Sequence, residues 1–129
     1  MNQHEPLVTV IMPIRNEARL IIQSLGAVLA QNYPSIRLEI LVADGMSDDG
    51  TLEIIRTLPG TERVRIIQNP SKRQADGLNA AIQQARGEYI VRIDGHAVIA
   101  PDYVRECVRT LQETGAANAG GNMDAVGIT

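Results

Sequence analysis

Four short apolar runs divide the chain, each followed by a polar turn and then by apolar residues at helical spacing. Residues 7–13 (Leu-Val-Thr-Val-Ile-Met-Pro) read as a buried strand closed by Pro13. Residues 17–31 then place Ile21, Leu25, Val28 and Leu29 on one helical face. A second strand is expected over 37–43, followed by the turn-rich Asp44-Gly-Met-Ser-Asp-Asp-Gly-Thr and a helix through Ile55. Residues 64–68 form a third strand, and 72–86 a helix with Ala75, Leu78, Ile82 and Ala85 on one face. A fourth strand covers 89–93. Pro101 suits the first position of a last helix, which carries Val104, Cys107, Val108 and Leu111 at i, i+3, i+4 and i+7. Strand–helix alternation repeated four times predicts a three-layer α/β/α domain with a mostly parallel sheet and right-handed crossovers. The core spans 7–113. Residues 114–129 are Gly/Ala/Asn-rich and break the alternation, so they are expected to begin a further, incomplete segment. Residues 1–129 are thus expected to be the N-terminal part of a longer domain.

Composition narrows the classes. At 129 residues the chain is one domain at most. Its core is aliphatic, with three Tyr and no Phe or Trp, which suits a sheet covered on both faces. The net charge of −3 leaves no broad basic surface for a nucleic-acid backbone, so no nucleic-acid partner is expected. One cysteine makes no internal disulfide. No apolar run is long enough to span a membrane, and the first residues lack the pattern of a signal peptide. A soluble domain of the cytoplasm is the expectation.

Ligands of open parallel sheets bind beyond the carboxyl ends of the strands, and there the unusual residues fall. Strand one is followed by Pro13-Ile-Arg15-Asn-Glu17, and strand two runs into Asp44. Strand three leads to Asn69-Pro-Ser-Lys72-Arg73, and strand four to Asp94-Gly-His96. The opposite rim is expected to carry no such set. Asp94 and His96 flank a Gly, so both side chains can reach one cation, and a divalent ion bound with phosphates takes few protein ligands. The imidazole favours Mn²⁺ over Mg²⁺. Lys72 and Arg73 at a helix start suit a diphosphate. Asp44 can accept from a nucleobase N–H or a ribose hydroxyl, and Arg15 can stack on a base. Plainer roles compete: Asp49 reads better as a turn and cap residue, Cys107 as a small core residue, and Met12 and Met46 as packing residues. His4 is given no role.

Four ordered segments resemble those of the family-2, inverting glycosyltransferases of the GT-A fold. Val10-Ile-Met-Pro-Ile-Arg-Asn-Glu17 resembles the family's opening strand and Pro-x-x-Asn-Glu turn. Ile40-Leu-Val-Ala-Asp-Gly-Met-Ser-Asp-Asp-Gly-Thr51 resembles its Val-Asp-Asp-Gly-Ser-x-Asp-Gly-Thr segment. Arg73–Ala81 resembles its basic, Asn-bearing helix, and Ala85–His96 its Ala-x-Gly-Glu-Tyr-Ile-x-x-Leu-Asp-x-Asp segment. The resemblance implies a nucleotide-diphosphate sugar donor, most often a UDP-sugar, and a saccharide or lipid-linked acceptor. Pro13, Arg15 and Glu17 would line the nucleoside pocket, and Asp44 would hold the base. Arg73 would lie near the diphosphate, and Asp94 would contact ribose, metal or sugar. His96 stands where the family has the metal-binding Asp, so Asp94 and His96 would share a divalent metal, Mn²⁺ or Mg²⁺. Asp-Gly-His at this place resembles a bacterial exopolysaccharide subset, including succinoglycan-type glucosyltransferases. That implies polysaccharide or cell-envelope biosynthesis, at the inner face of the cell membrane where regions outside this chain associate with it.

Two departures matter. An imidazole must be neutral to ligate, so metal affinity would fall as pH drops through its pKa. The family's general base lies after the segment resembled, so no catalytic base is assigned here; it is expected downstream of Thr129. Rival nucleotide folds lack their signatures, since neither Gly-x-Gly-x-x-Gly nor Gly-x-x-x-x-Gly-Lys-Ser/Thr follows strand one. The alternative that fold alone leaves open is a non-catalytic nucleotide-sugar-binding module.

Overall fold

The computed structural model of the chain describes residues 5–115; His4 and the Gly/Ala/Asn-rich segment 116–129 lie outside them. Four strands and four helices alternate: β1 (Val8–Ile14), α1 (Ile21–Leu29), β2 (Leu38–Asp44), α2 (Thr51–Arg56), β3 (Val64–Gln68), α3 (Gln74–Gln84), β4 (Tyr89–Arg92) and α4 (Tyr103–Thr114). All pairings are parallel, in the order β3-β2-β1-β4. The chain steps outward from β1 through β2 to β3, then returns past β1 to lay down β4. Right-handed crossovers in opposite directions place their helices on opposite faces. Accordingly α1, α2 and α4 share one apolar cluster with Val10, Met12, Ile40, Val42 and Val91. The other face carries α3, through Ala81 and Leu78 against Ile11, Leu41 and Ile67. The expected three layers are present, and the reversal between β1 and β4 makes a topological switch point.

Several boundaries differ from expectation, each for a local reason. Pro13 does not close β1: it pairs with Ala43 inside the strand. Ile11 O accepts the Ile93 N–H at 2.9 Å, and residues two apart on a strand point their polar groups the same way. The donor that Pro13 lacks therefore falls on the β4 side, beyond the last paired residue, Arg92. Lys72 has φ 68°, which delays α3 to Gln74. That helix turns Gly77 and Ala81 inward, while Ala75 is exposed and Ile82 is 45% exposed. Close approach explains the phase: a Cβ on Gly77 would lie 2.9 Å from Asn69 Nδ2 and 3.3 Å from Ala43 Cβ. Only small residues fit that face.

At the last helix the expected stripe of Val104, Cys107, Val108 and Leu111 is buried, but the helix starts at Tyr103 with Pro101 in the preceding turn. Met12 is fully buried, whereas Met46 is 43% exposed and packs against no core. No helix among the described residues is long and apolar enough to cross a membrane.

Candidate functional site

At the carboxyl rim, the loops after β1 and β2 are laced together by side chain–backbone bonds. Ser47 Oγ accepts from Asn16 N (2.8 Å), Thr51 Oγ1 from Glu17 N (3.0 Å) and Asp49 Oδ2 from Ala18 N (3.1 Å). In return Asn16 Oδ1 accepts from Asp48 N at 2.9 Å. Three consecutive amides entering the first helical segment thus find partners on the neighbouring segment 47–51. Asp49 is the turn residue expected, accepting from Thr51 N at 3.1 Å and from the Thr51 hydroxyl. It is also the lock between loops. The Thr51 hydroxyl, with the Ala18 and Thr51 amides, holds its carboxyl below the ordinary aspartate value.

Asp44, the last residue of β2, is 1% exposed. Its carboxylate accepts from Ser47 Oγ (2.6 Å) and Ser47 N (3.2 Å). Beside it, Arg15 Nε donates to Gly45 O at 2.9 Å, so the guanidinium lies across the start of the β2 loop. Each of these loops, and the one after β3, holds one non-glycine residue in the left-handed region: Asn16 (φ 56°), Met46 (φ 63°) and Lys72 (φ 68°). That conformation costs about 1 kcal/mol or more for most side chains, least for Asn. Among the described residues the carboxyl rim holds every such residue. Strain of this kind gathers at ligand sites.

Between these loops opens a cleft lined by Pro13, Ile14, Arg15, Glu17, Ala43, Asn69, Lys72 and Gln74. Three of the predicted site residues, Pro13, Arg15 and Glu17, line it. Of the predicted basic pair, Lys72 lines it, while Arg73 turns outward to Asp76 (Nε–Oδ2 3.2 Å). Hydrogen bonds from Ser71 and Arg73 keep the Asp76 carboxyl below its ordinary value. Gln74 was not expected there, and Asn69 was expected at this rim without a role. Asn69 is buried and donates from Nδ2 to Arg73 O at 2.8 Å, fixing the turn that presents Lys72. The sequence signal was the Asn-Pro after an apolar strand, which marks a turn.

Asp94, Gly95 and His96 form a turn closed by Ala97 N donating to Asp94 O at 3.1 Å. Ser24, fully buried on α1, donates to Gly95 O at 2.6 Å. A Cβ on Gly95 would meet Ile14 Cγ2 at 2.7 Å and Glu17 Cγ at 3.1 Å, so the turn is pressed onto the end of β1. His96 Nδ1 lies 3.5 Å from Glu17 Oε2, and Arg92 Nη2 donates to Asp94 Oδ1 at 3.4 Å. The fourth loop thereby joins the cleft through Glu17. Among the described residues no three His, Cys, Asp or Glu side chains gather closely enough to hold a metal ion unaided.

The opposite rim has a polar cluster of its own, centred on Glu39. Glu39 accepts from Thr9 Oγ1 (2.6 Å), Arg86 N (2.8 Å) and Arg65 Nη1 (3.2 Å), and Thr9 Oγ1 accepts from Gly87 N (2.8 Å). This set is closed on itself.

A parallel sheet with its cleft at the carboxyl rim and a helix face on each side is the architecture of the GT-A glycosyltransferases, and the comparisons agree. The profile of glycosyl transferase family 2 matches residues 9–129. The chain is 34% identical over 121 residues to glycosyltransferase AglE of Haloferax volcanii, covering 92% of this chain and 40% of that protein. It is 32% identical over 123 residues to succinoglycan biosynthesis protein ExoA of Rhizobium meliloti, covering 93% and 37%. The mannosyltransferase PcManGT of Pyrobaculum calidifontis, solved in complex with GDP-Man and Mn²⁺, superposes with a TM-score of 0.77 at 34% identity, over 84% of this chain and 33% of that one. The chain belongs to glycosyl transferase family 2. It spans two-fifths or less of the length of these three relatives.

Proposed function

We propose that this chain is the donor-binding part of an inverting glycosyltransferase that takes a sugar from a nucleoside diphosphate, UDP in the first instance. The observation that carries this is the cleft itself. It opens at the carboxyl rim between Pro13, Arg15 and Glu17 on one side and Lys72 on the other, where open parallel sheets bind their ligands. The family and the GDP-Man complex of the structural relative support it.

In this reading Asp44, anchored by Ser47, orients the base, and Arg15 packs its guanidinium plane against it. Lys72 meets the diphosphate, with Arg73 adding charge from farther out. Asp94 and His96 project from one turn, with Glu17 3.5 Å from the imidazole. Asp94 and His96 would supply two ligands to a divalent cation, with diphosphate oxygens supplying the remaining ones. Such an ion, Mn²⁺ or Mg²⁺, would offset charge on the departing diphosphate. In the transfer, an acceptor hydroxyl oxygen bonds to the anomeric carbon as the bond to the diphosphate oxygen breaks, its electrons leaving with the nucleoside diphosphate. The hydroxyl proton passes to a base proposed to lie downstream of Thr129. The acceptor is a saccharide or a lipid-linked saccharide, and the setting is polysaccharide synthesis at the cytoplasmic face of the membrane.

Calorimetric titration of UDP and of GDP, each with and without Mn²⁺, tests the reading. Saturable binding of one nucleotide, tightened by Mn²⁺, is expected. A folded chain that binds neither overturns it.

A further inference from the structure

Met46 is disfavoured by the fold on two counts. It holds φ 63°, the left-handed region that a long side chain rarely adopts, and its side chain is 43% exposed. Other large apolar residues are exposed among the described residues, including Ile22, Ile36 and Val98, but none of them has positive φ. Asn16 shares the conformation, which an Asn tolerates, and Lys72 shares it while lining the cleft. For Met46 neither backbone preference nor core packing supplies a reason.

Its neighbours say where it stands. Gly45 N donates to Ile14 O at 2.9 Å, and Gly45 O accepts from Arg15 Nε. On the other side, Ser47 is bonded to the buried Asp44 carboxylate and to Asn16 N. The backbone of residue 46 is therefore pinned on both flanks by groups of the cleft rim. Its side chain is exposed on the loop between Asp44 and Ser47, next to the Gly45 carbonyl that holds Arg15. A polarizable, unbranched side chain of this kind packs well on the face or edge of an aromatic ring.

We propose that Met46 is a contact residue for the planar base of the nucleotide, closing the base between its thioether and the Arg15 guanidinium. This rests on the donor-site reading above. It adds that the strained residue determines base affinity rather than fold. The two effects then have opposite signs. Glycine adopts φ 63° without strain, so Met46→Gly raises Tm by a few degrees, roughly 4 °C. The same change weakens UDP binding about five-fold through the lost ring contact.

The test is calorimetric titration of UDP with Mn²⁺, together with thermal unfolding, on wild-type, Met46→Gly, Met46→Ser and Met46→Leu chains; GDP replaces UDP where the wild type binds only GDP. Met46→Leu is expected to bind within two-fold of wild type, since it keeps the apolar reach. Met46→Ser is expected to bind as weakly as the glycine variant, since it keeps a side chain at the same backbone without that reach. Equal affinity in wild-type and Met46→Gly chains overturns the proposal, as does a serine variant that binds like wild type. A glycine variant with unraised Tm overturns it too, because the strain argument fails. A wild-type chain that binds neither nucleotide overturns the donor-site reading and this one with it, whereas binding by wild type with any of the preceding results overturns only this one.

Discussion

The two ends of one sheet carry similar side chains and use them differently. At the amino end, the Glu39 carboxylate is satisfied by Thr9, the Arg86 amide and Arg65, drawn from β1, β3 and the approach to β4. At the carboxyl end, Arg15, Glu17 and Lys72 face the cleft, and three residues there hold the left-handed region. The amino end spends its polar groups on one another and draws strands together. At the carboxyl end, hydrogen bonds made by Ser47, Asp49, Thr51 and Asn69 fix the loops so that Arg15, Glu17 and Lys72 remain turned toward the opening. Residue type alone does not separate a clamp from a site; what separates them is whether the partners close the set.

That contrast can be broken by substitution. Glu39→Ala removes an acceptor used by three donors, and is expected to cost about 2–3 kcal/mol of stability with nucleotide affinity unchanged, read by urea unfolding and calorimetry. A large affinity loss there would make the amino end part of the site. Asp44→Ala is expected to weaken nucleotide binding at least ten-fold, on the order of 1.4 kcal/mol, with or without Mn²⁺. His96→Ala is expected to abolish only the gain that Mn²⁺ brings. Equal, metal-independent losses in both variants would count against their separate roles.

The smallest effect concerns the lock between loops. The Asp49 carboxyl is held below its unfolded value, chiefly by the Thr51 hydroxyl. A depressed pKa contributes stability that is fully present above the unfolded value, about 3.9, and is lost as pH falls through the lower folded value. Wild-type stability should therefore decline below about pH 4 more steeply than that of Asp49→Asn, as thermal scans between about pH 5 and pH 2.5 would show. Parallel curves would mean that the lock contributes nothing.

The parallel sheet was legible because β1 and β2 are near-continuous apolar runs, the pattern of strands covered on both faces. Family membership was legible because four ordered segments survive at the right separations, and the profile matches them. The phase of α3 was not legible. Periodicity favours the largest apolar residue, Ile82, for the inner face, whereas close approach to Asn69 and Ala43 selects Gly77 and Ala81. The amino-end clamp left a readable sign that was passed over: Thr9 and Glu39 interrupt apolar strands and are register partners. Lys72 and Arg73 are adjacent, and the resemblance puts Arg73 near the diphosphate. The left-handed turn at Lys72 instead sends Lys72 into the cleft and Arg73 to Asp76. Met46 looked like core because it is apolar, and only its backbone angle and exposure place it on the rim.

The most direct test of the two-ended account is a backbone amide NMR map of the chain titrated with UDP, first with Mg²⁺ and then with traces of paramagnetic Mn²⁺. Shifts are expected at residues 14–17, 44–51, 69 and 71–74, with Mn²⁺ broadening centred on Asp94, Gly95 and His96. The amides of Glu39, Arg65 and Arg86 should stay still. Shifts centred on that amino-end set, or Mn²⁺ broadening away from the Asp94–His96 turn, would contradict the account.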